Sequence, residues 1–390
     1  MHIDVNNAFL SWTAVDLLSK GYKIDIRNIE SIIGGDEEQR RGIVLAKSMV
    51  AKNKGVKTAE TIRDAKRKCN DLKIFPPNHE LYQEMSNKLF NLINEYTPDI
   101  EKLSVDECFI DYSKVQNLYG DPIKFAYKLK REIKNKLGFT VNIGIANNKL
   151  CAKMASDFLK PDRVHTLFKN EVENKMYPLP VEELYGVGKS SSRKLRELNI
   201  NTIGELANTN PNILYKYFKN QTEKLINSAK GIDDNVVNIK RSEVECISNS
   251  TTISYNLNSL DEIYKYLYPL VENVSISLRQ KNKYASLVSV MLKDKYFKTY
   301  SHQRRLKNPT SNTDEIFSIA KELVKELWNE EGIRLVGVSL GKLSNNQIHQ
   351  ISLFEDVKEV EKNNELDKVV DKLKGIYGSN IIKKASQLKK

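Results

Sequence analysis

Three carboxylates at strand ends constrain this chain more than any other feature. Asp4 sits in a short apolar run, His2-Ile3-Asp4-Val5-Asn6-Asn7-Ala8-Phe9, and Ser104-Val105-Asp106-Glu107 breaks a later hairpin between Glu101–Val105 and Cys108–Tyr112. An Asp-Glu pair in a hairpin is ordinarily a solvated turn. Acidic groups on strand ends are also what an enzyme needs to hold two divalent cations side by side. Such a pair clamps the attacking and leaving oxygens of an in-line phosphoryl transfer. Mg²⁺ suits the site, since it takes a few carboxylate oxygens and completes its shell with water and substrate phosphate.

Charge points the same way. The 390 residues carry 62 Lys and Arg against 50 Asp and Glu, a net +12, which favours a polyanionic partner. Nucleic acid is the usual one, although a basic balance can also be an ordinary solvated face. Cys69, Cys108, Cys151 and Cys246 are scattered singly, with no Cys-x-x-Cys pair and no histidine cluster beside them. Neither a zinc site nor a disulfide framework is suggested, and a reducing cytoplasm is the natural setting. No signal-peptide pattern opens the chain and no apolar run reaches about 18 residues, so a soluble protein with no membrane partner is expected.

Along the chain, the region to about residue 165 reads as helices on a largely antiparallel sheet. It ends in a helix from Asn148 to Lys160 that Pro161 stops. The segment Leu184-Tyr185-Gly186-Val187-Gly188-Lys189 precedes a helix from Ser190 to Leu198. A Gly-x-Gly turn at a helix start lets backbone amides approach a phosphate, and Lys189, Arg193, Lys194 and Arg196 follow at once. The bland alternative is a tight helical connection. A polar linker over 231–245 leads to a basic α+β region at 246–345. Beyond it lies a polar tail with one apolar island, Gln350-Ile351-Ser352-Leu353-Phe354, and a helical stretch from Glu365 to Tyr377.

Taken together, Asp4-x-Asn6-x-x-Phe9, Ser104-Val105-Asp106-Glu107, Asn148-Lys149-Leu150-Cys151-Ala152-Lys153 through Lys160-Pro161, and the helix-hairpin-helix resemble a Y-family translesion DNA polymerase, in the DinB or DNA polymerase IV branch. The resemblance implies an α+β multidomain fold. Its parts are a palm at 1–10 and 74–165 with an antiparallel sheet, and small fingers at 11–73. A helix-hairpin-helix thumb at 166–232, an α+β little finger at 243–345 and a polar C-terminal tail at 346–390 complete it.

It further implies that Asp4, Asp106 and Glu107 hold two Mg²⁺ ions, with the Val5 carbonyl assisting, and that Phe9 is the steric gate beneath the incoming sugar. Ala8 and Phe9 amides and Lys160 would contact the triphosphate, and Gly186, Gly188 and Lys189 the DNA backbone. Where relatives often carry Tyr-x-x-Arg in the fingers, this chain has Met49-Val50-Ala51-Lys52. Lys52 keeps the charge for nucleotide binding but lacks the planar fork of arginine. Gln350–Phe354 resembles the bacterial sliding-clamp pentapeptide. The expected protein is a monomeric, error-prone, template-directed polymerase acting on primer-template DNA and dNTP, cytoplasmic and nucleoid-associated when engaged. Its rivals are a metal-dependent nuclease and a catalytically inactive, clamp-recruited DNA-binding accessory protein.

Overall fold

The apolar run at the start forms strand β1 (His2–Val5), buried along its whole length. The chain continues through α1 (Ala8–Ser19), β2 (Ser31–Gly34), β3 (Val44–Lys47), α2 (Met49–Asn53), α3 (Ile62–Lys68), β4 (Lys73–Phe75) and α4 (His79–Asn94). Next come β5 (Ile100–Lys102), β6 (Glu107–Ile110), α5 (Gln116–Tyr119), α6 (Pro122–Leu137), β7 (Val141–Ala146), α7 (Lys149–Asp157) and β8 (Val164–Leu167). Short helices follow: α8 (Val172–Lys175), α9 (Lys189–Glu197), α10 (Ile203–Ala207), α11 (Pro211–Phe218) and α12 (Thr222–Ala229). Then β9 (Cys246–Leu257), α13 (Leu260–Gln280), β10 (Tyr284–Asp294), β11 (Thr299–Thr310), α14 (Thr313–Leu327), β12 (Ile333–Ser344) and α15 (Val357–Tyr377) complete the chain. The structure is a computed structural model and describes residues 1–36, 42–239, 244–345, 357–378 and 381–382. Met1–Gly35 with Ile43–Arg241 form one unit and most of the remainder a second.

In the first unit β1 is the central strand of a five-stranded sheet, ordered β5-β6-β1-β7-β8, antiparallel except for the parallel β7–β8 pair. Side chains alternate across a strand, so β1 serves two faces. Ile3 and Val5 join the core built with Leu89 and Ile93 of α4 and Phe125, Leu129 and Ile133 of α6. His2 and Asp4 instead meet Ser156 and Lys153, the helix α7 side. Helix α6 shows the local logic plainly. Asp121 accepts from the Lys124 amide at 2.8 Å, Pro122 opens the helix, and Gly138 ends it with φ +77°, each the residue type those positions favour.

A second sheet, β3-β2-β4, packs Ile32 and Val44 against Ala51, Ile62 and Ala65. The helices α8–α12 share a separate core around Leu195, Ile203, Leu206 and Leu214. In the second unit, α13 and α14 bury one face of the antiparallel sheet β11-β10-β12-β9.

Two local expectations change. Helix α7 ends at Asp157, leaving Lys160 in the following loop. A single 3₁₀ turn, Val181–Glu183, precedes the Gly-x-Gly turn. The stretch read as a polar tail contains a longer helix, α15, which begins at Val357 and is tied down by charge. The Arg279 Nε lies 2.6 Å from Asp371, its Nη1 3.0 Å from Asp367, and Lys374 pairs with Glu272 at 2.7 Å. The apolar island Gln350–Phe354 lies outside the described residues.

Candidate active site

The strand register brings the sequence-distant acids together. β1 and β6 pair antiparallel with Asp4 directly opposite Glu107, and the Val5 amide donates to the Asp106 carbonyl at 3.1 Å. Asp4 is buried, 5 % exposed. Asp106 is adjacent but its carboxylate accepts a 2.6 Å hydrogen bond from the Ser104 hydroxyl. Among the described residues no three acidic, His or Cys side chains converge on one point. The structure therefore brings Asp4 and Glu107 together and leaves Asp106 turned toward its own loop.

Two ammonium groups sit on this pair. Lys153 of α7 lies 3.0 Å from Glu107 Oε1 and 3.4 Å from Asp4 Oδ2, and Lys160 lies 2.8 Å from Asp4 Oδ2. The oxygens are hard donors and already hold cations, so the residues fit a divalent ion such as Mg²⁺. Behind Glu107, the buried His2 ring hydrogen-bonds Ser156 through Nδ1 at 2.8 Å, and its Nε2 stands 3.7 Å from Glu107 Oε2. His2 first, then Lys153, hold the Glu107 pKa down to about 2 against the opposing effect of burial. Burial pushes Asp4 upward, with Lys160 and Lys153 pulling the other way. Burial also lowers the His2 pKa, with the neighbouring Glu107 and Asp4 pulling it the other way.

The loop carrying Lys160 is pinned by a buried amide network. Asn142 of β7 donates to the Ser156 and Leu159 carbonyls at 2.9 and 2.7 Å, while its carbonyl oxygen accepts from Asn6 at 3.0 Å. Asn6 in turn accepts from the Asp162 amide at 2.8 Å. Sequence reasoning missed His2, Lys153, Ser156 and Asn142. One signal was present: Asn142 interrupts the apolar run Val141-Asn142-Ile143, and a buried amide must be hydrogen-bonded.

Helix α1 starts after Asn7, at φ +52°, with no side chain capping its first amides. Those of Ala8 and Phe9 are thus open to an anion. The Phe9 ring stacks on Tyr82 with centroids 4.4 Å apart and planes 7° off parallel. Tyr82 is held in place by Thr13 at 3.2 Å. Nearby, a cavity of about 380 Å³ is lined by Asn6, Asn7, Arg27, Lys47, Met49, Lys52 and Lys160. It therefore unites Lys52 and Lys160, while Phe9 lies on Tyr82 outside that lining. In the helix-hairpin-helix, Gly186 has φ +94° and a side chain at Gly186 or Gly188 would meet open space. Lys189 opens α9, whose first amides also lack a side-chain cap. Lys194 pairs with Glu197 and Arg196 with Glu182, so those two cations are partly committed within the unit.

Known proteins resemble the chain throughout. Residues 3–157 match the impB/mucB/samB family, 169–200 the IMS family HHH motif, and 245–353 the impB/mucB/samB family C-terminal domain. DNA polymerase IV of Clostridium acetobutylicum is 46 % identical, covering 100 % of this chain and 98 % of its own. That of Oceanobacillus iheyensis is 35 % identical, covering 98 % and 90 %. Among solved structures, a Y-family DNA polymerase chimera of Dbh and Dpo4 superposes with TM-score 0.78 at 23 % identity, covering 88 % of this chain and 99 % of that one. With the paired carboxylates at the centre of this α+β fold, the chain belongs to the impB/mucB/samB family, the Y-family DNA polymerases of the DNA polymerase IV branch.

Proposed function

We propose that the chain is a template-directed, error-prone DNA polymerase for translesion synthesis, joining a dNTP to a primer 3′-hydroxyl. The observation that carries this reading is Asp4 opposite Glu107 at paired strand ends, with Asp106 alongside and a lysine-lined cavity a few residues away. Asp4, Asp106, Glu107 and the Val5 carbonyl would hold two Mg²⁺ ions. When bound, these lower the pKa of the attacking hydroxyl and neutralise charge on the triphosphate. For Asp106 to join, its carboxylate would have to give up the hydrogen bond from Ser104.

The remaining residues bind and select. Lys160 and Lys52, which share one cavity, meet the triphosphate, and the open amides of Ala8 and Phe9 donate to its oxygens. Phe9, backed by Tyr82, forms a rigid floor that excludes a 2′-hydroxyl. Gly186, Gly188 and Lys189 contact the DNA backbone. The small sheet β3-β2-β4 with α2 and α3 encloses little of the nascent base pair, which admits damaged templates and lowers fidelity. Gln350–Phe354 docks on the sliding clamp, and the enzyme acts as a cytoplasmic monomer that joins the nucleoid when engaged. No helix among the described residues is long and apolar enough to cross a membrane.

Primer extension with and without Mg²⁺ tests the reading. Elongation of a primed template by added dNTP is expected. Degradation of the primer instead would point to a nuclease, and DNA binding with no chemistry to an accessory protein.

A further inference from the structure

Lys153 is unlike the other cations near the carboxylates. It is 7 % exposed, and its ammonium faces three carboxylates: Glu107 at 3.0 Å, Asp4 at 3.4 Å and Asp157 at 3.4 Å. Lys160 sits in a loop with a side chain 36 % exposed and lines the nucleotide cavity. Lys153 has no such freedom. It projects from the middle of α7, whose backbone rests directly on β7. A Cβ added to Gly144 would stand 2.0 Å from the Ala152 carbonyl oxygen and 2.6 Å from the Ser156 nitrogen. A buried lysine this tightly seated cannot follow a substrate outward. Its charge is spent on holding together two carboxylates that the strand register forces side by side.

We propose that Lys153 is a positioning residue, a resident counter-ion that keeps Asp4 and Glu107 convergent before a divalent ion arrives and weakens that ion's affinity by competing for the same oxygens. The inference rests on reading Asp4 and Glu107 as cation ligands. Three consequences separate this role from simple packing. Removing the charge destabilises the protein mainly when no divalent ion is present. It tightens divalent binding, since a neighbouring cation within hydrogen-bond reach no longer opposes it. Restoring the charge as arginine reverses both effects.

The test uses the full chain with Lys153→Met, Lys153→Gln and Lys153→Arg. Thermal melting is measured in EDTA and in Mg²⁺, and Mn²⁺ affinity by calorimetric titration. Lys153→Met and Lys153→Gln should melt below wild type in EDTA and recover most of the difference in Mg²⁺. Both should bind Mn²⁺ about tenfold tighter or more, while Lys153→Arg stays near wild type in each assay. Wild-type Mn²⁺ affinity and an unchanged EDTA-to-Mg²⁺ melting gap in Lys153→Gln overturn the proposal. So does a Lys153→Met protein that stays unfolded with or without the ion. Asp4→Asn in parallel keeps the two ideas apart. If wild type shows no Mn²⁺ binding that Asp4→Asn removes, the reading of the carboxylates as ligands fails. If that binding is present and the Lys153 variants match wild type, only the role of Lys153 fails.

Discussion

Gly144→Ala should damage catalysis from a position that touches neither nucleotide nor DNA. Gly144 lies on β7 opposite His2 of β1, and α7 passes over it backbone to backbone. An alanine Cβ there would stand 2.0 Å from the Ala152 carbonyl oxygen, against the 3.4 Å at which ordinary contact begins. Both clashing atoms belong to main chain, so no side-chain rotation relieves them. The helix must move by the difference, about 1.4 Å, and forced overpacking of this kind costs about 1–3 kcal/mol. The displaced helix carries Lys153 and Ser156, and it leads into the loop that carries Lys160. The 2.8 Å His2–Ser156 bond and the 3.0 Å Lys153–Glu107 pair would stretch together. A misplacement near 1 Å can cost about 10²-fold in rate. Urea unfolding followed by single-nucleotide extension measures both quantities. A Gly144→Ala protein with wild-type stability and wild-type extension rate would refute the close-packing argument. A protein destabilised yet fully active would refute the link from helix position to chemistry.

Three further outcomes can be checked. Asp106→Ala removes a proposed ligand but no core contact, so circular dichroism and DNA binding should be retained while extension falls roughly 10³-fold; near-normal extension would remove Asp106 from the site. Phe9→Val should raise ribonucleotide incorporation about tenfold or more, with deoxynucleotide use reduced modestly, as read by competing rNTP and dNTP in one assay; unchanged discrimination in an active mutant would count against the gate. Replacing Leu353 and Phe354 together by alanine should leave distributive extension intact and abolish stimulation by a loaded clamp, because tethering supplies the effective concentration that a short peptide needs; a full clamp response in the double mutant would end that assignment.

Residues that broke a pattern were legible in two places, although Asn142, which also broke one, was passed over. Acids at the ends of apolar strands marked the place where Asp4 and Glu107 come together, and Asp121-Pro122 with Gly138 marked both ends of α6, because each signal is local in sequence. Lys153 was illegible for the opposite reason. With Lys149 one turn earlier it reads as an ordinary solvated helix face, whereas α7 is packed on β7 at Gly144 and its Leu150, Cys151 and Met154 enter the core with Leu195. The end of α7 was misplaced because Pro161 looked like the stop. The Asn142 amide takes the Ser156 and Leu159 carbonyls and so directs the chain out of helix before the proline is reached. Helix α15 was legible from Glu365 to Tyr377, and only its start at Val357 was missed. Its anchors are Asp367, Asp371 and Lys374, while Leu366, Val369, Ile376 and Tyr377 are exposed. Charge faces the domain and these apolar residues face solvent, so no buried apolar stripe marks where the helix docks.

The fingers pose a separate question about charge. Met49 and Lys52 stand where the family resemblance leads one to expect Tyr and Arg, yet the cavity gathers Lys47 of β3, Lys52 of α2 and Lys160 of the loop after α7. These cations are not equivalent. Lys47 donates to Thr58 at 2.8 Å, and burial, followed by the nearby Lys52, lowers its pKa. Lys160 is engaged with Asp4 at 2.8 Å and with Asp157 at 2.8 Å. Lys52 is exposed and projects from a five-residue helix whose start Ser48 caps through the Ala51 amide. A single point charge there attracts a triphosphate without fixing its orientation, because an ammonium lacks the two parallel N–H groups of a guanidinium. On the proposed reading, orientation would fall to the rigid groups beside the cavity, the open amides at the start of α1 and the Phe9–Tyr82 stack. Nucleotide geometry would then be set from α1, with Lys52 contributing mainly charge.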